Sequence, residues 1–177
     1  MERRSVLIAS LIAFAIVVGT DVLYVGVINI QGESERPYIP RFVAGYLAVM
    51  SALILIALLP RTEIAQIRGP MRAAAAGGLL VLGFLSAFSI GLPLVLAGIV
   101  MTFALGRTLR EPRHGLARLS GLAAAVLAVT VLIAGLEVTE RVIECPASGQ
   151  VSGGGSGFFT GSYQYECVNG VAHFHSG

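Results

Sequence analysis

The chain has 177 residues, of which 55% are hydrophobic and only 12% are charged, and its formal net charge is +2. A soluble globular domain would carry about 25% charged residues, so this composition, with a mean hydropathy of +0.82, indicates a membrane protein. The small net charge is spread over separate loops, which excludes the continuous basic surface of a nucleic-acid-binding protein. All 12 cationic side chains are arginine, a usage typical of GC-rich bacterial genes.

Long apolar runs predict an all-α integral membrane protein, built as a five-span helical bundle. About 20 apolar residues cross a hydrocarbon core of ~30 Å, and polar loops separate the runs. The first run resembles a signal peptide, but no small-residue cleavage site follows it, so a retained span is favoured over cleavage. The expected spans are about 5–30, 42–59, 73–90, 93–106 and 119–136. They form a transmembrane domain over 1–136, and residues 137–177 form an extracytoplasmic tail.

The stretch 73–106 contains no charged residue and is flanked by Arg72 and Arg107. As a single helix it would be about 50 Å long, which exceeds the thickness of the hydrocarbon core. Gly91-Leu92-Pro93 predicts a turn near its middle. Spans three and four are therefore expected to form a tight hairpin, and a re-entrant hairpin that does not cross fully is the alternative.

The arginines favour a cytoplasmic N-terminus and an extracytoplasmic C-terminus. In that orientation nine of the 12 arginines lie inside, as the positive-inside rule expects for short loops. The inside set is Arg3, Arg4, Arg61, Arg68, Arg72, Arg107, Arg110, Arg113 and Arg118, and the outside set is Arg36, Arg41 and Arg141. The protein is therefore expected in the plasma membrane as a multi-pass protein, surrounded by the lipid bilayer.

Small residues four positions apart indicate faces on which membrane helices approach each other closely. Such faces are expected in spans three, four and five. The residues are Gly83, Ala87 and Gly91 in span three, Gly98, Thr102 and Gly106 in span four, and Gly121 with Ala125 and Ala124 with Ala128 in span five. The same spacing also arises without a packing role, because alanine and glycine are common in GC-rich membrane proteins.

Asp21 is the only ionisable side chain within an apolar run, and an intramembrane carboxyl group is usually functional because its burial is costly. It lies about 24 Å along the first span, close to the outer interface. An interfacial structural role, hydrated or paired with Arg36 or Arg41, is favoured over an ion site. No second acid, histidine or lysine lies in a span to continue a proton relay, which counts against a proton-coupled transporter.

Cys145 and Cys167 are the only two cysteines, and both lie in the tail, outside the cytoplasm, where disulfides persist. They are expected to bond to each other as a structural disulfide. A redox-active pair is disfavoured, because the sequence contains no C-x-x-C motif. The bond would close a loop that contains the Gly/Ser stretch 148–157, which is expected to have no order of its own.

Asn169-Gly170 between two alternating runs predicts a β-hairpin with a two-residue type I′ turn. That register places Glu166 opposite His173 and puts His175 on the same face. The other face, expected to pack on another surface, carries Tyr163, Tyr165, Cys167 and Phe174. Two imidazoles and a carboxylate are zinc ligand types, but a structural site normally needs a fourth ligand. A solvated polar face is therefore favoured over a metal site.

No nucleotide-binding loop, nucleophile elbow or zinc-protease motif occurs in the sequence, so no cofactor and no enzymatic activity are predicted. The leading hypothesis is a non-enzymatic accessory or assembly subunit of a larger bacterial membrane complex. Its partners would be other membrane-protein subunits and not nucleic acid. The second hypothesis is a small-solute transporter or channel with Asp21 near its outer mouth. The third is an extracytoplasmic metal-binding or sensing module on a membrane anchor.

Overall fold

The computed structural model describes residues 4–31, 38–60, 64–108, 115–157 and 161–176. Its elements are α1 (Arg4–Gln31), α2 (Tyr38–Leu58), α3 (Arg68–Leu85), α4 (Gly91–Thr108), α5 (Gly115–Glu140), β1 (Gln150–Gly157), β2 (Gly161–Val168) and β3 (Val171–Ser176). The strands form one antiparallel sheet in the order β1-β2-β3. The predominantly helical fold is therefore confirmed, whereas the sheet has three strands and not the predicted two.

The chain divides into two compact units. The helix unit comprises Met1–Ile30 and Ala44–Leu132, and the tail unit comprises Gln31–Val43 and Ile133–Gly177. The tail unit thus includes the beginning of α2 and the last turns of α5 as well as residues 137–177. There the ring of Phe42 packs so closely on Gly135 that a Cβ would not fit.

Four helices are long and apolar enough to cross a membrane, namely Arg4–Ile30, Tyr38–Leu58, Gly91–Thr108 and Arg118–Glu140. Helix α3 is not among them, because it includes the charged residues Arg68 and Arg72 and ends at Leu85. The sequence predicts this span at 73–90, so the observed helix begins and ends five residues earlier.

The turn between α3 and α4 occupies residues 86–90, earlier than predicted. Ser86 is the C-cap of α3: its N–H still donates to the carbonyl of Leu82 at 2.9 Å, whereas the N–H of Ala87 donates to the carbonyl of Phe84 at 3.3 Å, which ends the i−4 pattern. The carbonyl of Ser86 then accepts the N–H of Gly91 at 2.8 Å. Gly91 and Pro93, predicted to form the turn, instead begin α4, where a proline removes no helical hydrogen bond.

Helices α3 and α4 contact each other closely. A Cβ at Gly83 would lie 2.8 Å from the backbone nitrogen of Val95, and a Cβ at Gly98 would lie 2.7 Å from Cγ of Leu80. A Cβ at Gly91 would collide with the carbonyl oxygen of Gly83. These three predicted packing glycines therefore lie at the contact, which leaves no room for side chains.

The other three predicted packing residues do not lie at this contact. Ala87 is exposed in the turn, and Thr102 is exposed on α4, where its Oγ1 donates to the carbonyl of Gly98 at 2.8 Å. No described atom lies within 4 Å of a Cβ built on the exposed Gly106. The four-residue spacing failed for Ala87 because α3 has already ended at Leu85, so helical periodicity no longer applies.

Helix α5 packs on α3 through small residues of both helices. A Cβ at Gly77 would lie 3.1 Å from Cβ of Ala125, and a Cβ at Gly121 would lie 3.6 Å from Cβ of Ala73. From the contact of Ala73 with Gly121 to that of Gly77 with Ala125, the residue numbers increase in both helices. Helices α3 and α5 are therefore parallel here.

Tyr46 of α2 fills the space between these helices. Its side chain is buried, and its ring lies so close to Gly78 that a Cβ there would be 3.2 Å from Cζ. Its hydroxyl donates to the carbonyl of Ala128 in α5 at 2.9 Å. The buried phenol thus satisfies its polar group while it joins three helices.

In the tail unit, strand β1 is formed by a segment that is predicted to lack order. Gly153 pairs with Tyr165, and Gly155 pairs with Tyr163. A Cβ at Gly153 would lie 2.6 Å from Cζ of Tyr165, and one at Gly155 would lie 2.8 Å from Cζ of Tyr163. Aromatic rings that cover glycines of the neighbouring strand supply the packing that these glycines cannot supply themselves. This is why the Gly/Ser stretch is ordered.

The predicted hairpin between β2 and β3 is confirmed in its register. Glu166 pairs with His173, as the two-residue turn requires. Asn169 and Gly170 have φ values of 49° and 82°, and positive φ at both central residues is the signature of a type I′ turn.

The apolar face of the sheet packs on the segment that follows α5. Tyr163, Tyr165 and Cys167 are buried, and Cys145 packs against them. The predicted disulfide between Cys145 and Cys167 is confirmed, with a Cα–Cα distance of 5.5 Å. The hydroxyl of Tyr163 donates to the carbonyl of Glu140, the last residue of α5, at 2.8 Å.

Replacing Gly83 by alanine is expected to destabilise the hairpin of α3 and α4, because the new Cβ would meet the backbone of Val95. Overpacking of this kind costs about 1–3 kcal/mol. The matched control is Gly106→Ala, which adds the same methyl group in open space and should leave stability unchanged or higher. The measurement is the unfolding free energy of detergent-solubilised protein during denaturant titration. Equal losses in both variants would contradict the close glycine contact.

Candidate functional site

The described arginines of the helix unit gather at one end of it. Val6 and Ala9, early in α1, pack on Ala104, late in α4. Arg72, early in α3, contacts the ends of α2 and α4. Helices α1, α3 and α5 therefore begin at this basic end, and α2 and α4 finish there. Its described cationic residues are Arg4, Arg68, Arg72, Arg107 and Arg118.

Arg72 is completely buried, with 0% of its surface exposed. Its Nη1 donates to Oγ1 of Thr108 at 2.9 Å, and its Nη2 lies 3.5 Å from the carbonyl oxygen of Ala57. Oγ1 of Thr108 in turn donates to the carbonyl of Ala104 at 2.9 Å. Ala57 and Thr108 are at the C-terminal ends of α2 and α4, where free carbonyl groups and helix dipoles favour a cation.

Two further arginines reinforce the same end. Arg68 donates through Nη2 to the carbonyl of Leu59 at 2.5 Å, just beyond the end of α2. Arg107 places its guanidinium 4.9 Å from the ring centroid of Phe103, a favourable cation–π geometry. Two arginines of α3 therefore donate hydrogen bonds to carbonyl groups at the end of α2, and these bonds hold the two helices together.

The chemistry that this site supports is fixation of helices and not proton transfer. A guanidinium group does not lose its proton in proteins, so Arg72 cannot serve as a general acid or base. The sequence alone indicated Arg72 only as the charge that closes an apolar stretch. Its spacing of four residues from Arg68 was the available signal that both lie on one helical face. Its burial depends on Thr108, 36 residues later in the chain.

Asp21 lies at the opposite half of α1 from the basic end. It is partly buried, and its Oδ1 has no hydrogen-bond partner among the described residues. From Arg4 it is about 26 Å along the helix, consistent with the predicted depth. Of its expected partners, Arg36 lies outside the described residues, and Arg41 has its guanidinium 6.0 Å from the ring of Tyr38. An interfacial role for Asp21 stays a prediction.

The polar face of the tail sheet does not assemble the suggested metal ligands. Glu166 and His173 are cross-strand partners, whereas His175 is opposite Gln164. Glu166 accepts a hydrogen bond from the side chain of Gln150. Within the described ranges, no three His, Cys, Asp or Glu side chains form a group that could hold a metal ion. The side chain of Gln150 already engages the carboxylate of Glu166.

A shallow depression of the tail sheet lies between β1 and β2. Its lining includes Ser152, Gly154, Gln164, Glu166 and His175. The surface offers hydroxyl, amide, carboxylate and imidazole groups but no enclosed apolar volume. Gly153 and Tyr165 complete its lining, and the depression is open to solvent, unlike the concave pockets that enclose small molecules.

Comparison with known proteins gives no family for this chain. No protein-family model matches it, and comparisons with curated proteins and with solved structures give no significant similarity. A functional proposal therefore depends on the geometry of the helix unit and of the tail unit alone.

Replacing Arg72 by lysine is expected to destabilise the basic end, because one ammonium group cannot reach both Thr108 and the end of α2 as a planar guanidinium does. Loss of one hydrogen bond from a charged group costs about 1.5–3 kcal/mol. Arg107→Lys is the matched control, since Arg107 rests on an aromatic ring at the surface, and it should change stability little. Chemical unfolding of both variants provides the test. Identical midpoints would show that the buried position of Arg72 has no special energetic role.

Proposed function

We propose that this protein is a non-enzymatic, multi-pass integral membrane protein that acts as an accessory or assembly subunit of a larger membrane complex. Its N-terminus lies in the cytoplasm, and its tail sheet lies outside. The observation that carries this proposal is the gathering of the described arginines at one end of the helix unit. Cytoplasmic ends of membrane helices carry an excess of arginine, so the basic end is the cytoplasmic end.

The exposed surface of the helices supports a lipid environment. Large apolar side chains project from several helices, and they include Ile12 and Leu23 of α1, Leu96 and Phe103 of α4, and Leu122 and Leu127 of α5. Soluble monomers rarely expose large apolar patches. In lipid the same surface costs nothing, because acyl chains are as apolar as leucine.

The use of hydroxyl groups supports a structural role and not a catalytic one. Five threonines each donate from Oγ1 to the carbonyl four residues earlier, namely Thr20, Thr102, Thr108, Thr130 and Thr139. A hydroxyl that donates to its own helix has no proton left to donate to a solute, although it can still accept, as Thr108 does from Arg72. Close helix packing and internally satisfied polar groups are features of a subunit that docks on other membrane helices.

A second candidate function, passage of a small solute, is favoured by two buried hydroxyls. Oγ of Ser10 and Oγ of Ser51 have no hydrogen-bond partner among the described residues. Ser10 is six residues after the start of α1, and Ser51 is seven residues before the end of α2. Both serines are therefore about 10 Å from the basic end along their helices. Two hydroxyl groups at the same depth could bind one polar solute.

The orientation is tested with single cysteines placed while the native disulfide is kept. Gln66→Cys, between α2 and α3, should be cytoplasmic, and Ser156→Cys, in β1, should be extracytoplasmic; both positions are exposed. In intact cells a membrane-impermeant maleimide should label Ser156→Cys and leave Gln66→Cys unlabelled until the cells are opened. Labelling of Gln66→Cys from outside would contradict the proposed orientation.

The accessory role is tested by native mass measurement after gentle detergent extraction from the natural membrane. The expected particle exceeds the 18.4 kDa of one chain by the mass of different polypeptides, which peptide sequencing then identifies. Extraction in a harsh detergent that separates subunits is the control for unspecific co-purification. A particle that contains only copies of this chain would reject the accessory role and favour the second candidate function. Solute passage would then be compared between the wild-type protein and the variants Ser10→Ala and Ser51→Ala.

A further inference from the structure

Asp21 is an acidic side chain in an apolar part of α1. Its Oδ1 is buried and has no hydrogen-bond partner among the described residues. The apolar sequence continues beyond it, and Val22 and Leu23 are 65% and 72% exposed. A carboxyl group in such surroundings is costly when it is ionised and unpaired. The position therefore favours a neighbouring cation.

In the proposed orientation, Asp21 lies inside the apolar layer of the membrane. It is about 26 Å along the helix from Arg4 of the basic end, whereas the hydrocarbon core is ~30 Å thick. The apolar residues from Ser5 to Ile30 rise by about 38 Å, so α1 tilts or extends beyond the core, and tilting moves Asp21 deeper. Long lysine and arginine side chains reach the headgroups from such positions, but an aspartate side chain is too short.

The described arginines do not supply this cation. Two of them lie outside the basic end, and both contact aromatic rings of the tail unit. The guanidinium of Arg41 is 6.0 Å from the ring centroid of Tyr38, and that of Arg141 is 5.8 Å from that of Tyr163. The other described arginines belong to the basic end, where α1 begins. Within the described residues, Oδ1 of Asp21 is therefore without a counter-charge.

The face that α1 packs on the helix unit continues to Asp21 but is not fully covered there. Val17 and Thr20 are buried. Asp21 and Tyr24 follow them at the helical spacing of four residues, on the same face, and both are only partly buried. From Asp21 to Ile30 no residue of α1 is fully buried. Another helix can therefore extend the contact along this face.

We propose that Asp21 forms an ion pair with a lysine or arginine in a membrane helix of the partner subunit, and that this helix covers α1 beside Asp21 and Tyr24. This inference rests on the proposed accessory role. The occupant is a basic helix because a carboxylate within the apolar layer needs a cation, which lipid hydrocarbon does not offer. The exposed Val22 and Leu23 give the same helix an apolar surface to contact. One such pair fixes both the depth of the partner helix and the choice of partner.

The test compares three variants of the full chain in the natural membrane. Asp21→Asn removes the charge at nearly constant size, and Asp21→Glu keeps it. Val22→Asn is the matched control, because it introduces the same amide at the adjacent exposed position of α1. After gentle detergent extraction, native mass measurement gives the fraction of chains bound to other polypeptides. Chemical unfolding of each variant, purified alone in detergent, shows whether the chain itself is affected.

The Asp21→Asn variant is expected to lower the bound fraction at least about tenfold, because loss of one partner leaves the other charge buried and unpaired. Asp21→Glu and Val22→Asn should retain the complex, and the unfolding midpoint of Asp21→Asn should not fall. Sequencing of the co-purified chain should reveal a lysine or arginine within an apolar helix. Exchanging the two charges, with Asp21→Arg opposite an acidic residue at that position, should restore binding.

An undiminished complex with Asp21→Asn would overturn the ion pair and leave the accessory role intact. Equal loss with Val22→Asn would also overturn it, since the effect would not depend on charge. A lower unfolding midpoint for Asp21→Asn would place the counter-charge in this chain, and a co-purified chain without a basic residue in an apolar helix would remove the proposed partner. If the wild-type protein carries no other polypeptide, the accessory role itself is wrong.

Discussion

The close contact between α3 and α4 is the constraint on which the rest of the helix unit depends. Gly83, Gly91 and Gly98 lie against backbone or side-chain atoms of the facing helix, so any Cβ there would force the helices apart. In lipid, helices gain little from hydrophobic burial and associate through backbone proximity. Glycine therefore has a packing role here that it does not have in most soluble helices. This contact also aligns the two helices so that Arg72 comes level with Thr108.

The burial of Arg72 follows from that alignment. A desolvated cation is costly unless hydrogen bonds and opposite partial charges surround it. The ends of α2 and α4 supply both, since Ala57 and Thr108 are at helix C-termini. One arginine of the basic end thus joins three helices, and in the proposed orientation the same end faces the cytoplasm. Within the described residues, Arg72 is the largest fully buried side chain.

The tail unit is organised by a different kind of glycine contact. Gly153 and Gly155 contribute no side chains to the sheet, and the rings of Tyr165 and Tyr163 cover them from the neighbouring strand. The disulfide attaches this sheet to the segment after α5, and the hydroxyl of Tyr163 binds the last helical carbonyl. A two-stranded hairpin alone is marginally stable in water. The third strand and the covalent bond therefore explain how so small a sheet persists.

The features that the sequence determined by itself are those with local causes. Apolar runs of sufficient length predicted the helices, and Asn169-Gly170 predicted the register of β2 and β3 because a two-residue turn allows only one pairing. Cys145 and Cys167 had no other partner. The sequence did not reveal β1, because a glycine-rich segment carries no alternating pattern and its order comes from Tyr163 and Tyr165. The sequence also placed the hairpin turn at Gly91 and Pro93, whereas α3 ends earlier, at Leu85, where the N–H of Ala87 already bonds to the carbonyl of Phe84. Only the tertiary structure decided that Arg72 is buried, because its acceptors Ala57 and Thr108 belong to helices that meet it through packing and not through sequence proximity.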